Sequence, residues 1–426
     1  MSEVTSGPAV PRQGGGAEAL TDDLRRSGAR PRPGTAADTV GGAVPGHVAA
    51  PPDAAAAADL LAAAADHGLT VAARGHGTKA DWGGRLRGCD LLVDTGALTG
   101  IEHAAGDLVV RAGAGVALDD LGTVLAEADQ RLTVDHVVPG STVGGVVATG
   151  LSGPRRFLHG PVRDLIIGMS VVRADGVAAK SGGVVVKNVA GYDLAKLHTG
   201  AFGTLGLITS VTFRLHPVPP AVRIVRAATA DPAAAGAWLR AVLHSQASPA
   251  AVELDWPAEG PLTLQVLLEG ASGGIDSRTA EIASLLDRAH SDDAVPREWG
   301  SLPGDPGDTL VKVAVPISRV LGAAAALRSA GEAAAVPVGI RGSAGCGVLY
   351  AALPAGADPG DVARLLARAR SEVADGSVTV VRAAPPIHDS GVDLWGEVPG
   401  LALMRAIKDR FDPGGRMSPG RLTDGI

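Results

Sequence analysis

The sequence predicts an α+β protein of two domains, and three observations carry that prediction. The chain has 426 residues, more than one ordinary core accommodates, and 46% of them are hydrophobic. A sharp break falls at Pro217-Val218-Pro219-Pro220, where the rhythm of the segments changes. Beyond it the elements read β-α-β-β-α and then β-α-β-β-α-β. That order predicts two ferredoxin-like halves merging into one large antiparallel sheet with helices on one face.

The elements follow in order. Residues 1–38 are rich in Gly, Pro, Ala, Ser and Thr, with five acidic and five basic residues, and are expected to form a disordered arm. Asp53 to Gly68 has a helical pattern closed by glycine. Leu69–Arg74, Asp90–Thr95 and Leu108–Ala112 read as strands. Ala117–Ala128 reads as a helix with Leu118, Leu121 and Leu125 on one face. Thr142–Thr149 opens a small-residue helix. Ile166–Ala174 and Val177–Ser181 form a hairpin about Asp175-Gly176. Asn188–His198 is a short helix and Leu207–His216 a strand. The second region begins at Val222–Thr229, Gly300–Asp308 links its halves, and Leu401–Phe411 is an amphipathic helix.

Composition excludes several functions. Aromatics are 3% of residues, too few for a stacking platform on single-stranded nucleic acid. The formal charge of −7 leaves no overall basic footprint. Cys89 and Cys346 are the two cysteines, which rules out a disulfide framework and a Cys-ligated cluster held by this chain alone. A cytoplasmic location follows as the expectation. No apolar run reaches the ~20 residues of a membrane span. Arg25-Arg26 lacks the apolar stretch of a twin-arginine signal.

Three segments carry chemistry. In Arg74-Gly75-His76-Gly77-Thr78-Lys79 a strand runs into alternating glycines. Such glycines let successive amides turn inward as an anion nest. Thr78 adds a hydroxyl and Lys79 a charge, although glycine turns between strands are often only structural. Pro139-Gly140-Ser141-Thr142-Val143-Gly144-Gly145 leads into a helix start that suits phosphate or a flavin edge. Close helix–sheet packing is the alternative use of its glycines. The third segment is Lys187-Asn188-Val189-Ala190-Gly191-Tyr192-Asp193, followed by Gly203-Thr204-Leu205-Gly206-Leu207-Ile208.

Together these segments resemble the FAD-binding domain of the vanillyl-alcohol-oxidase/para-cresol-methylhydroxylase (PCMH-type) superfamily. The likeness covers about residues 45–218 and the C-terminal Ser418-Pro419-Gly420-Arg421. The string from Lys187 to Asp193, and Gly150-Leu151-Ser152-Gly153-Pro154-Arg155-Arg156, look most like the smaller FAD-binding subunit of bacterial glycolate oxidase. The resemblance implies an FAD-binding domain of two α/β subdomains over residues 39–218. A cap would span 219–400, and residues 401–426 would return to the flavin domain. It implies that residues 74–79 wrap the diphosphate, and that Thr142, Gly144, Gly145, Ser152 and Gly153 line the diphosphate and isoalloxazine. Gly160 would sit near the flavin, and Gly206 and Ile208 near the adenosine. Relatives with covalent flavin often carry histidine four residues beyond the position of Arg74. Thr78 stands there, so the flavin is expected to be non-covalent.

Leu108-Val109-Val110-Arg111-Ala112-Gly113-Ala114-Gly115 imitates a dinucleotide-binding turn, but Leu118 replaces its third glycine. Its glycines are read as a strand-to-helix turn. Oxidising a 2-hydroxy acid requires a base for the hydroxyl proton and a cation for the carboxylate. Larger catalytic relatives supply ligands or a base from a His-x-His-x-Gly-Asp-Gly-like block. The counterpart here, Arg341-Gly342-Ser343-Ala344-Gly345-Cys346-Gly347, has no histidine, so no metal site is expected. Lys312 and Arg341 are the candidate carboxylate anchors. His388 and His159 are the candidate bases, and Lys187 a candidate to stabilise reduced flavin.

The resemblance implies a flavin subunit of a glycolate oxidase-type complex, beside a second flavin subunit and an iron–sulfur subunit. Such a complex could touch the inner face of the membrane through its partners. A stand-alone FAD-dependent 2-hydroxy-acid dehydrogenase and a flavin-free scaffold are the alternatives.

Overall fold

A computed structural model describes residues 15–183, 192–373 and 375–426. Three sheets organise it. The first is a small sheet in the order Arg32–Pro33, His47–Ala49, Leu91–Asp94, Val71–Arg74. Its three longer strands are parallel. The crossover helix is Ala54–Asp66, capped by Asp53, whose side chain accepts from the Ala56 amide at 2.8 Å. Leu60 and Leu61 on that helix are fully buried against Val71, Leu91 and Val93.

The second sheet is antiparallel, in the order Ile101–Ala104, Val109–Gly113, Leu207–Arg214, Ile166–Val172, Ala178–Gly182. Helix Leu118–Ala126 covers it through Leu118, Leu121 and Leu125. The glycine turn after Val109–Gly113 is explained by close packing. A Cβ on Gly113 would lie 2.1 Å from the Leu98 carbonyl oxygen, and one on Gly115 2.1 Å from that of Thr95. The strand is antiparallel to both neighbours, so no dinucleotide-binding β-α-β unit begins there.

The third sheet has eight antiparallel strands. Their order is His290–Asp292, Ala221–Thr229, Leu262–Gly270, Ala251–Trp256, Gly339–Ser343, Val348–Leu353, Thr309–Ala314, Ser377–Arg382. Helices Pro232–His244, Ser272–Leu285, Val320–Ala334 and Pro359–Glu372 bury one face of it in a single aliphatic core. The two halves join where Ala251–Trp256 pairs with Gly339–Ser343. The opposite face meets the first domain. There Leu310 and Tyr350 pack with Trp82, Val137 and Leu151.

Residues 15–38 correct one expectation, because they are not an arm. Gly15–Arg26 is a helix, and Leu24 is fully buried against the first sheet's core. Leu20 and Leu24, four residues apart, supply the apolar stripe that the surrounding small residues obscured. Asp38 is also buried, and Arg32 and Thr35 hold its carboxyl well below the usual range. Of the expected helix over residues 188–198, residues 192–198 are described, and the helix there is confined to Ala195–His198.

The C-terminal segment adds to the first sheet. The Val71 amide donates to the Arg416 carbonyl at 2.8 Å, and the Ser418 amide to the Val71 carbonyl at 2.7 Å. Domain contact on one flank is ionic. Glu269 accepts from Arg131 and Arg155, and Arg155 also reaches Asp135. Burial opposes the Glu269 charge, but the Arg131 hydrogen bonds and the Arg155 charge outweigh it and hold its pKa at about 2. No helix among the described residues is long and apolar enough to cross a membrane.

A candidate flavin site and an interdomain cleft

The turn after Val71–Arg74 is built as an anion receptor. The amides of Gly75, His76, Gly77, Thr78 and Lys79 donate to no described residue. Five consecutive free donors at one turn, on residues of which Lys79 alone is buried, are available to an external acceptor. The walls of the turn are held by side chains. Arg74 is committed to Asp38 and Asp94, each at 3.2 Å, so it fixes the entry of the turn. His76 donates from Nδ1 to the Gly140 carbonyl at 3.0 Å, clamping the turn to the next segment. Gly140 itself has φ +71°, a conformation that favours glycine.

Two buried cations face this turn without an ion-pair partner among the described residues, although the Asp81 charge acts on one of them, Arg421. Lys79 Nζ donates to Ser141 Oγ at 2.6 Å, and burial pulls its pKa down to about 8. Arg421 is buried with its guanidinium on the Ala80 and Gly84 carbonyls, and burial pulls its pKa down to about 10. Unneutralised buried cations beside orphan amides fit a group carrying two negative charges. Arg421, Ser418 and Phe202 line the cavity with residues 74–79, Thr142 and Gly145. The sequence reading placed the C-terminal segment here but did not single out Arg421. Its place in the string Ser418-Pro419-Gly420-Arg421 was the available signal.

An adjoining cavity runs under the turn, lined by Gly75, Thr95, Ala114, Gly144, Gly203, Gly206 and Ile208. Both cavities meet at Gly75 and Gly145. A Cβ on Gly75 would lie 2.3 Å from Thr142 Oγ1, and one on Gly144 2.8 Å from Ala114 Cβ. These glycines are therefore demanded by close approach.

The start of helix Val143–Thr149 is a correction. Its first amides are already used: Val143 donates to Val116, Gly144 to Ala114, and Gly145 to the Thr142 hydroxyl. Nothing remains there for a phosphate, and the small residues serve packing. Pro139 and Gly160 line neither cavity nor the cleft described next; Gly160 ends helix Arg156–His159. Lys187 lies outside the described residues.

Ser152 and Gly153 face a cleft between the domains, opposite Glu253, Arg341, Ser343 and Tyr350 of the cap sheet. The candidate catalytic residues separate here. Lys312 lies directly opposite Tyr350 in the sheet, and so on the face turned toward the first domain. It is half-buried and makes no hydrogen bond or ion pair among the described residues. Arg341 lines the cleft but is neutralised by Asp255 at 2.8 Å, which weakens it as an anchor. His388, on helix Pro385–Asp389, lines none of the three cavities. Burial, helped by Arg85 and Arg421, lowers its pKa. The His159 ring packs tilted against that of His216, centroids 4.4 Å apart, and burial brings its pKa down to about 4, which makes it a weak base. Burial pushes both thiols up, Cys89 to about 11, which makes them poor nucleophiles.

Comparison with known proteins agrees with this geometry. The family described as FAD binding domain matches residues 45–182. Glycolate oxidase subunit GlcE of Escherichia coli is 38% identical over 123 residues, 28% of this chain and 35% of that protein. A D-lactate dehydrogenase of Archaeoglobus fulgidus is 32% identical over 158 residues, 37% of this chain and 36% of that one. The matched segments thus span little more than a third of these relatives. Among solved structures, an alkyldihydroxyacetonephosphate synthase shares the fold with a TM-score of 0.63 at 15% identity, over 88% of this chain and 76% of that one.

Proposed function

We propose, from the premise that residues 45–182 are an FAD-binding domain of the FAD-linked oxidase superfamily, that this protein is an FAD-dependent 2-hydroxy-acid dehydrogenase. The observation that carries the cofactor assignment is the run of five orphan amides flanked by Lys79 and Arg421. FAD bound there supplies a two-electron acceptor for a substrate carbon–hydrogen bond. The diphosphate would sit on Gly75 to Lys79, and the adenosine toward Gly206 and Ile208. Ser152 and Gly153 would then meet the flavin edge at the cleft. Lys312, half-buried and unpaired on the inner cap face, would hold the substrate carboxylate.

Relatives named as D-lactate and D-2-hydroxyglutarate dehydrogenases support a dehydrogenase that acts by itself. The likeness to a glycolate oxidase subunit favours a second reading. In it the chain is a cytoplasmic flavin subunit working with a further flavin subunit and an iron–sulfur subunit.

One experiment separates the two. The purified chain should show a flavin band and bleach when D-lactate or glycolate is added without oxygen. Bleaching only after partner subunits are supplied would favour the complex; absence of flavin would sink both. Lys312→Met should raise the substrate concentration for half-bleaching about 10–100-fold, the loss of one charge-assisted hydrogen bond. An unchanged value would remove Lys312 from the site. Because Thr78 holds the position of attachment, acid precipitation should leave all flavin absorbance in the supernatant. Flavin in the pellet would mean a covalent bond elsewhere.

A further inference from the structure

A groove of about 530 Å³, open to solvent, lies in the outer layer of the cap. The large sheet separates it from the first domain, because the helices cover one sheet face and the first domain meets the other. One wall is helix Val320–Ala334, through Gly322, Ala326 and Ser329, and Val315 and Val373 form the floor. The other wall is the end of helix Pro359–Glu372. Arg368 on that helix ties the two walls together, its Nη2 donating to Ser329 Oγ at 3.0 Å.

Packing within the chain does not account for the helix face beside this groove. The buried side of Val320–Ala334 holds Val320, Ala324, Leu327 and Gly331. The opposite side holds Gly322, Ala325, Ala326 and Ser329, all exposed or half-exposed. A solvent-facing helix ordinarily carries long charged side chains there. Here charges stand at the two ends of the stripe, Arg319 at its head and Glu332 at its foot. Glycine at an exposed helical position weakens the helix, yet a Cβ on Gly322 would meet nothing within 4 Å. A glycine that avoids no internal clash fits close approach by a molecule outside the chain.

We propose that this face binds a second copy of the chain, the two Val320–Ala334 helices packing antiparallel about a two-fold axis between Ala325 and Ala326. The charge pattern selects that occupant. Gly322 lies three positions before Ala325 and Ser329 three after Ala326, so each glycine meets the other copy's serine. Arg319 lies six positions before and Glu332 six after, so each arginine faces the other copy's glutamate. Glu332 forms no ion pair among the described residues, and the contact of Arg319 with Asp375 at 3.4 Å is exposed and weak. The neighbouring helix has the same polarity. Glu372 and Asp375 stand beside the Arg319 end, and Arg364, one turn before Arg368, lies toward the Glu332 end. The two-fold axis brings opposite signs together there as well. Small side chains allow the helix axes to approach closely, and antiparallel macrodipoles attract. A self-complementary patch of this kind closes as a dimer. The pairing uses no flavin group, so it stands or falls apart from the dehydrogenase reading.

Sedimentation velocity of the full chain tests the pairing. A dimer that dissociates on dilution through the micromolar range is expected, since one pair of helices buries less than a standard interface. Gly322→Gln fits the open space of the single chain, so it should leave its melting midpoint no lower than wild type. In the pair the new side chain strikes Ser329 of the other copy, twice by symmetry, and should weaken association at least about tenfold. Arg319→Glu and Glu332→Arg should each weaken it about tenfold, and the double swap should restore it. That rescue is a result that general damage to the surface does not give. A chain still monomeric at about 100 μM would overturn the proposal and leave the groove to a different molecule. A dimer indifferent to Gly322→Gln, or a double swap no tighter than the single reversals, would overturn it equally.

Discussion

Gly75→Val is expected to strip the protein of FAD, lowering the flavin-to-protein absorbance ratio below about a tenth of wild type. The added Cβ would sit 2.3 Å from Thr142 Oγ1 and 3.0 Å from its Cγ2. Thr142 cannot retreat freely, because its hydroxyl caps the amide of Gly145 at 3.2 Å. The turn must therefore move, and five amides that converge on one acceptor disperse. Hydrogen bonds to a charged group contribute about 1.5–3 kcal/mol each, so losing two weakens binding by more than about a hundredfold. Gly77→Ala makes the comparison informative. Gly77 has φ +76°, but its Cβ would meet only Arg74 Cδ, at 3.5 Å. The cost is then the ~1–2 kcal/mol of a left-handed alanine, which weakens flavin binding about 5–30-fold. Full occupancy in Gly75→Val, with circular dichroism unchanged, would show that the diphosphate is not held at this turn.

The second large effect is on stability. Lys408→Met should cost about 3–5 kcal/mol, read as a shift of the denaturation midpoint. Lys408 is buried, and its Nζ donates to Asp412 Oδ2 at 2.7 Å, the Thr204 carbonyl at 2.8 Å and the Met417 carbonyl at 2.9 Å. Burial lowers its pKa, and Asp412 opposes that by favouring the charged form. Methionine preserves the volume but leaves Asp412, itself 1% exposed, as an unpaired buried charge. Asp412 Oδ1 already lacks a partner among the described residues. The double variant Lys408→Met/Asp412→Leu should therefore be less destabilised than the two single losses added together. Strict additivity would mean that the pair does not couple. This contact joins the C-terminal helix to the loop before Leu207–Arg214, so its loss should also loosen Arg421 and the flavin.

Much of the fold was legible because periodicity survives in one dimension. Leu118, Leu121 and Leu125 mark one face of a helix, and they are the residues buried on the second sheet. The strands of the cap were readable as short aliphatic runs between turns, and their order announced a merged antiparallel sheet. The helix Gly15–Arg26 was hidden because two leucines among small and polar residues resemble low complexity. Its stability comes from packing on Ala54–Asp66, not from its own pattern.

At the site, the sequence by itself determined the nest. Alternating glycines after a strand are a local property, and local backbone freedom is written residue by residue. It could not show that the amides of Val143 and Gly144 are consumed by Ala114 and Val116, which are nearly thirty positions away. Nor could it show that Arg341 is neutralised by Asp255 while Lys312 and Arg156 are not. Glu253 looked like any acid in a strand; burial in the fold pushes its pKa up to about 8, against the pull of Ser343, Arg156 and Arg341. Charge, availability and protonation depend on which groups the fold brings within a few ångströms and removes from water. Those are tertiary quantities, and they decide which side chains remain free to meet a ligand.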